Sequence, residues 1–211
     1  MTLAAKGALS FVSSALVSGT FTSAVRPAGP KTIFKLIRET RPDRRMLFDG
    51  YNKVFDGSSD HWKFVWKKYR NDFPAGVSNP FSLTQLTGDN APKEFRDTCR
   101  KLFFNESASS TDDEKYNWAV EYCTRSTLVS DWIWESGHEI VPKDNNTDEW
   151  KKLWAKYKDS NVWNISDSSS NGEAPEGFKK KCEEEANKTS GNKRDVSVNR
   201  VFKYCSKKRV N

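Results

Sequence analysis

The segment Asp60-His61-Trp62-Lys63-Phe64-Val65-Trp66-Lys67-Lys68-Tyr69 returns as Asp148-Glu149-Trp150-Lys151-Lys152-Leu153-Trp154-Ala155-Lys156-Tyr157, with six of ten positions identical. Two further matches follow in the same order. Ala91-Pro92-x-x-Phe95-x-x-x-Cys99 pairs with Ala174-Pro175-x-x-Phe178-x-x-x-Cys182, and Asn117 through Tyr122-Cys123 pairs with Asn199 through Tyr204-Cys205. Chance does not align four tryptophans and four cysteines this way, so the chain reads as a tandem duplication. What the copies share marks what the fold requires.

Trp62, Val65, Trp66 and Tyr69 stand at i, i+3, i+4 and i+7, as do Trp150, Leu153, Trp154 and Tyr157, which places each set on one face of an α-helix. Lysines occupy the opposite face. Ser59 and Thr147 precede Asp60 and Asp148, where a hydroxyl would cap the helix and an acid would suit its dipole. Such a stripe would serve as the core of a module; the competing reading is an exposed surface for a partner, a carbohydrate or a membrane. Ala-Pro opens a second helix in each copy, since proline loses nothing at the first turn. The segments ending in Cys123 and Cys205 give a third. Shorter elements around residues 33–37 and 128–133 precede them, and residues 46–48 and 139–142 read as short strands or extended links.

The expected fold is therefore mainly α: a duplicated small module of about three helices, with short extended segments, preceded by an N-terminal apolar helix. The expected division is 1–25 apolar segment, 26–50 basic linker, 51–126 first module and 127–211 second module. Solvated, turn-rich stretches at 105–114, 165–173 and 188–195 differ between the copies and read as loops. Aromatic residues are 13% of the 211-residue chain and charged residues 30%, and helical spacing of the aromatics argues for folded modules over disorder.

Each copy carries two cysteines, Cys99 and Cys123, then Cys182 and Cys205, spaced by 24 and 23 residues. This symmetry suggests one cysteine contact per module: a disulfide if the modules lie outside the reducing cytosol, or a pair of buried thiols if they do not. A zinc site is disfavoured because no C-x-x-C occurs, and His61 and His138 hold non-equivalent positions, each read as a solvated side chain. No phosphate loop, dinucleotide fingerprint, nucleophile elbow or H-E-x-x-H helix is present, so no catalytic residue, cofactor or metal is assigned and a non-enzymatic role is expected.

The net charge of +7 is concentrated: residues 26–45 hold Arg26, Lys31, Lys35, Arg38, Arg41, Arg44 and Arg45 against Glu39 and Asp43, a local +5. These seven are the candidate contacts to an anionic surface, with lipid headgroups favoured over nucleic acid because the excess flanks an apolar segment. That segment, residues 7–25, has no charge and ten Ala, Val, Leu or Phe, but also seven Ser or Thr. It reads as a secretory signal cut after Thr22-Ser23-Ala24, as an uncleaved membrane anchor, or as a surface helix. The positive-inside rule would hold the modules in the cytoplasm if the segment stays in place.

The succession of a small-residue apolar N-terminus, [ST]-D-x-W-K-x-x-W-x-x-Y, F-x-x-x-C and an aromatic-cysteine pair, repeated once, resembles the paralogous families of short uncharacterised proteins of haemotropic mycoplasmas. The resemblance covers nearly the whole chain. It implies a membrane-associated or exported protein at the extracellular surface, a surface antigen or host-interaction module whose partners would be the host-cell surface or antibody. The extra Ser and Thr of the N-terminal segment and the basic stretch behind it depart from that pattern. The alternative is a cytoplasmic-facing basic protein that binds anionic lipid or nucleic acid through residues 26–45.

Overall fold

The structure is a computed structural model that describes residues 29–49, 57–166 and 172–210. Among these are eight helices and six short strands, and the fold is mainly helical. The N-terminal apolar segment and Arg26 lie outside the described residues.

The elements run in two matching series. The first is β1 (Lys31–Thr32), α1 (Ile33–Thr40), β2 (Arg44–Met46), α2 (Asp60–Asp72), α3 (Lys93–Asn105), β3 (Ser107–Ala108), α4 (Glu114–Cys123) and β4 (Thr124–Ser126). The second is α5 (Val129–Glu135), β5 (His138–Ile140), α6 (Thr147–Tyr157), α7 (Glu176–Ala186), α8 (Val196–Cys205) and β6 (Ser206–Lys208). Strands β2 and β4 pair antiparallel with Met46 opposite Thr124, and β5 and β6 pair in the same register with Ile140 opposite Ser206. The short ladder of β1 with β3 has its counterpart in a single bridge between Leu128 and Thr189.

Each series thus has four helices: the three of the repeat and, before them, the shorter element expected around residues 33–37 and 128–133, which is itself a helix. The fourth, α1 or α5, comes first and enters through the same backbone bond: Ile33 N–H donates to Glu106 O, and Val129 N–H to Lys188 O. The boundary placed at residue 51 falls inside a single core. Ile33 and Ile37 of α1 and Met46 of β2 are buried in one cluster with Trp62, Trp66, Phe95 and Cys123. Val129, Ile133, Trp150, Tyr157, Phe178 and Cys205 belong to the second cluster. The basic stretch is therefore a folded part of the first unit rather than a linker, because the apolar residues between its cations occupy helical spacing and take them into the core.

The starts of α2 and α6 differ by one residue. Ser59 Oγ accepts from Trp62 N–H, whereas Thr147 is already helical and Asn146 takes the cap position without a side-chain bond to the helix. Three residues before each aspartate the backbone enters the left-handed region, at Gly57 (φ 81°) and Asn145 (φ 61°). Glycine and asparagine are the residues that adopt it at least cost. A Cβ on Gly57 would also run into the carbonyl of Ala91, which is why this turn carries no side chain. In the loop at 105–114, Ala108 is buried in β3 and Asp113 caps α4 through Lys115 N–H. Only its middle is a free loop.

Candidate functional site

The aromatic residues of the repeated helices are buried. Trp62, Trp66 and Tyr69 are at most 1% exposed and Trp150, Trp154 and Tyr157 at most 9%, so the stripe is core and offers no docking surface. Their rings meet the same partners twice. Trp66 lies 5.1 Å from Phe95 and Trp154 5.2 Å from Phe178; Tyr69 stands edge-on to Tyr122 at 5.1 Å and Tyr157 to Tyr204 at 5.3 Å. Cys99 bonds Cys123 and Cys182 bonds Cys205, with Cα atoms 5.4 and 5.5 Å apart, each tying the second long helix of its series to the last. All four sulfurs belong to fully buried residues.

One shared device escaped the sequence comparison. Tyr69 donates its hydroxyl to Asn79 Oδ1 (2.6 Å) and accepts from Phe81 N–H (3.1 Å), while Asn79 accepts from Leu83 N–H and donates to Leu83 O, both at 2.9 Å. Tyr157 does the same with Asn161 (2.9 Å) and Trp163 N–H (2.9 Å), and Asn161 bonds both backbone groups of Ile165. Phe81 and Trp163 then stack on the two tyrosines. The signal is Asn-x-aromatic-x-aliphatic, at 79–83 and 161–165, but it stands ten residues after Tyr69 and four after Tyr157, so alignment at fixed spacing hides it. Burial pushes the Tyr69 phenol up to about 12.

The basic candidates are largely engaged with carboxylates of the chain itself. Lys31 pairs with Glu39; Arg41 grips Asp43 through two bonds of 2.9 and 2.8 Å; Arg44 approaches Asp43 at 3.8 Å. Arg38 and Arg45 both reach Glu135 of α5. Lys35 is exposed on α1, its N–H bonded to Thr32 Oγ1. The Arg41 guanidinium holds the Asp43 carboxyl below the usual range despite partial burial.

Arg45 leads to the seam between the two series, which contains residues that sequence reading did not single out. In the β2–β4 ladder Arg45 stands opposite Arg125, a like-charge pair that would repel if left alone. At the corresponding place in β5–β6, Glu139 stands opposite Lys207 and the two form an ion pair at 3.4 Å. The arginines are neutralised instead by α5. Arg125, 6% exposed, makes a two-bond pair with the fully buried Asp131 (2.6 and 2.8 Å), and Asp131 also accepts from Leu128 N–H. Arg45 bonds Glu135 and lies over the Trp132 ring at 5.2 Å. Thr127 completes the join: its N–H donates to Asp43 O, its hydroxyl to Pro42 O, and its carbonyl accepts from Ser190 N–H.

Away from the seam, Lys68 sits between Asp72 and Glu121, each at 2.7 Å, and over the Tyr122 ring. Partial burial works against its charge, but the two carboxylate bonds outweigh it and raise its pKa, while the Lys68 bond holds Asp72 below the ordinary carboxylate range. The histidines are half-buried rather than solvated. Burial, aided by Arg125, pushes His61 down; His138 lies in β5 with its ring 4.4 Å from Phe202. Among the described residues no three His, Cys, Asp or Glu side chains group as metal ligands, and no helix is long and apolar enough to cross a membrane. Compared with known proteins, the chain matches no family model, no curated protein and no solved structure.

Proposed function

We propose that the chain arose by duplication of one four-helix module and serves as a non-enzymatic, membrane-associated or exported protein that carries the module pair on the extracellular surface, as an antigen or host-interaction unit. The observation that carries this reading is the pair of equivalent cystines, since disulfides persist where thiols are not kept reduced. Division of labour within each module supports it further. Rings, cystine and tyrosine-asparagine bonds repeat, whereas the connecting segments differ in length and composition, and surface loops tolerate change without loss of a core. The resemblance to the paralogous families of haemotropic mycoplasmas points the same way, with host-cell surface or antibody as partner and the N-terminal segment as the membrane attachment.

The alternative, a cytoplasmic-facing protein that binds anionic lipid or nucleic acid through residues 26–45, finds less support. Five of its six described cations already face carboxylates of the chain: Lys31, Arg38, Arg41, Arg44 and Arg45. The test is to treat intact cells expressing the protein with protease and a membrane-impermeant thiol reagent, with and without prior reduction. Cleavage, with labelling only after reduction, is the expected result. Full protection with freely reactive thiols after lysis would refute the surface reading and favour the alternative.

A further inference from the structure

The two series match in their ladders and helices, so a face on which their side chains differ marks what one module has and the other lacks. Aligned on the tryptophans and the last cysteines, Lys156 of α6 corresponds to Lys68 of α2, and Ser160 and Lys203 correspond to Asp72 and Glu121. In the first series the two acids hold Lys68 between them at 2.7 Å each. In the second both acids are absent, and a lysine stands where Glu121 would neutralise its neighbour. The difference continues along the same face: Lys152 holds the place of Phe64, and Lys208 that of Ser126. Lys207 holds the place of Arg125, which α5 neutralises through Asp131.

These five lysines line one open groove of 580 Å³ between α6, α8 and β6. Two of them are answered by acids: Lys152 pairs with Glu149 at 2.8 Å and Lys207 with Glu139 at 3.4 Å. The other three, Lys156, Lys203 and Lys208, are exposed and stand in no ion pair among the described residues; Lys203 lies over the Tyr204 ring at 4.8 Å. Cations gathered without acids repel one another, and an anion laid among them relieves that repulsion. Phe202, 41% exposed, packs on His138 at 4.4 Å and gives the groove an apolar platform beside its charges.

We propose that this groove binds a linear sulfated polysaccharide, with sulfates on Lys156, Lys203 and Lys208 and the apolar face of one sugar ring against Phe202. Helix α6 supplies two of the five lysines and α8 with β6 the other three, so a chain laid between these elements meets cations from both. The plane of a bilayer would touch the rim alone. Lysine presents a point charge suited to sulfate, and no arginine fork of the kind that reads base edges lines the groove. The choice of polysaccharide over nucleic acid rests on the extracellular reading proposed above; the cationic groove itself does not.

The experiment is titration of the full-length oxidised protein with a heparin hexasaccharide at about 0.15 M salt, read on the His138 and Phe202 side-chain resonances. The same hexasaccharide stripped of sulfate, a single-stranded oligonucleotide and phosphatidylserine vesicles are titrated beside it. Saturable shifts are expected, with the sulfated chain bound most tightly. Lys208→Ser, which installs the residue of the first series, should weaken binding about fivefold and lower the salt slope by about one. Lys203→Glu restores the acid found at Glu121 and should weaken it about tenfold or more. Both positions are exposed, so neither change disturbs the core. Lys67→Glu makes the same change of charge on the exposed face of α2 and should leave affinity within about twofold, because salt screens a remote charge. No saturable shift, equal affinity for the desulfated chain, or equal weakening by Lys67→Glu and Lys203→Glu would overturn the proposal. Tighter binding of the oligonucleotide or the vesicles would overturn it too, by giving the groove another occupant. Failure here removes the site and leaves the surface reading standing, since protease on intact cells decides that separately.

Discussion

Replacement of Asn79 by alanine is the most direct test of how these modules hold together. The side chain receives the Tyr69 hydroxyl and joins both backbone groups of Leu83, so truncation removes three hydrogen bonds and leaves the tyrosine hydroxyl with the Phe81 N–H alone. At about 1 kcal/mol per bond, the expected loss is about 3 kcal/mol, a large share of the roughly 5–15 kcal/mol that stabilises a domain. Tyr69→Phe removes two bonds, to Asn79 and from Phe81, and should lose about 2 kcal/mol. One bond is common to both, so the double variant should lose about 1 kcal/mol less than the sum. Asn79→Ala combined with Asn161→Ala, which shares no partner with it, should add to within about 0.5 kcal/mol. The assay is urea unfolding with both disulfides intact, followed by tryptophan fluorescence. A loss of under about 0.5 kcal/mol for Asn79→Ala, the range of an ordinary surface change, would refute the reasoning, and so would simple additivity of the Tyr69 and Asn79 variants.

Two further predictions follow from the charges. Arg125 and Asp131 are a buried pair, so Asp131→Ala, which strands the arginine, should destabilise by about 3–5 kcal/mol, whereas Arg125→Met with Asp131→Leu should lie near neutral. Equal losses for the single and double replacements in urea unfolding would show that the pair does more than cancel its own burial. Asp43 and Asp72 have carboxyls held low by Arg41 and Lys68, so their contribution is present above the ordinary value of about 3.9 and is lost as pH falls through the lowered one. Burial, with the Asp72 bond, raises Tyr122 to about 12, and Tyr69 rises likewise, so their contribution holds below about 10 and disappears as pH rises through about 12. The urea midpoint should accordingly be flat from about pH 6.5 to about 10 and fall first below about 6.5, where the unfolded chain protonates His61 more readily than the folded one; Asp72→Asn should blunt the further acid limb, and an unchanged limb would exclude Asp72 from it.

The parts of the fold legible in the sequence are those whose spacing is rigid. A helix fixes which residues share a face, so Trp62-x-x-x-Trp66-x-x-Tyr69 pointed to a buried stripe, and one cysteine contact per module followed from cysteines at matching places on repeated helices, though the choice between thiols and disulfide did not. Where the chain is free to vary its path, the signal faded. The asparagines that complete the tyrosine bonds sit behind connections of unequal length. Strands of two or three residues carry too little alternation to be read. Helix α5 resembles α1 only in its buried Val129 and Ile133 against Ile33 and Ile37, because its polar face was given over to Asp131 and Glu135. Those acids serve arginines that stand six and ninety residues away, and no local pattern records such a bond. The basic run at residues 26–45 shows the opposite case: clustered along the chain, its Lys31, Arg38, Arg41, Arg44 and Arg45 each stand beside an acid in space, which their spacing does not reveal.

The seam also gives the chain a direction. The positions of Arg125 and Asp131 are held in the opposite copy by Lys207 and Lys35. Exchange the order of the two halves, and a strand carrying Lys207 would be delivered to a helix bearing Lys35, cation against cation, while Arg45 and Arg125 would face each other without Asp131 and Glu135, leaving Asp49 as the acid beside Arg45. The two halves are thus not interchangeable. A chain with its halves transposed would keep the same helices, the same cystines and the same rings, and yet lose the ion pairs at its join.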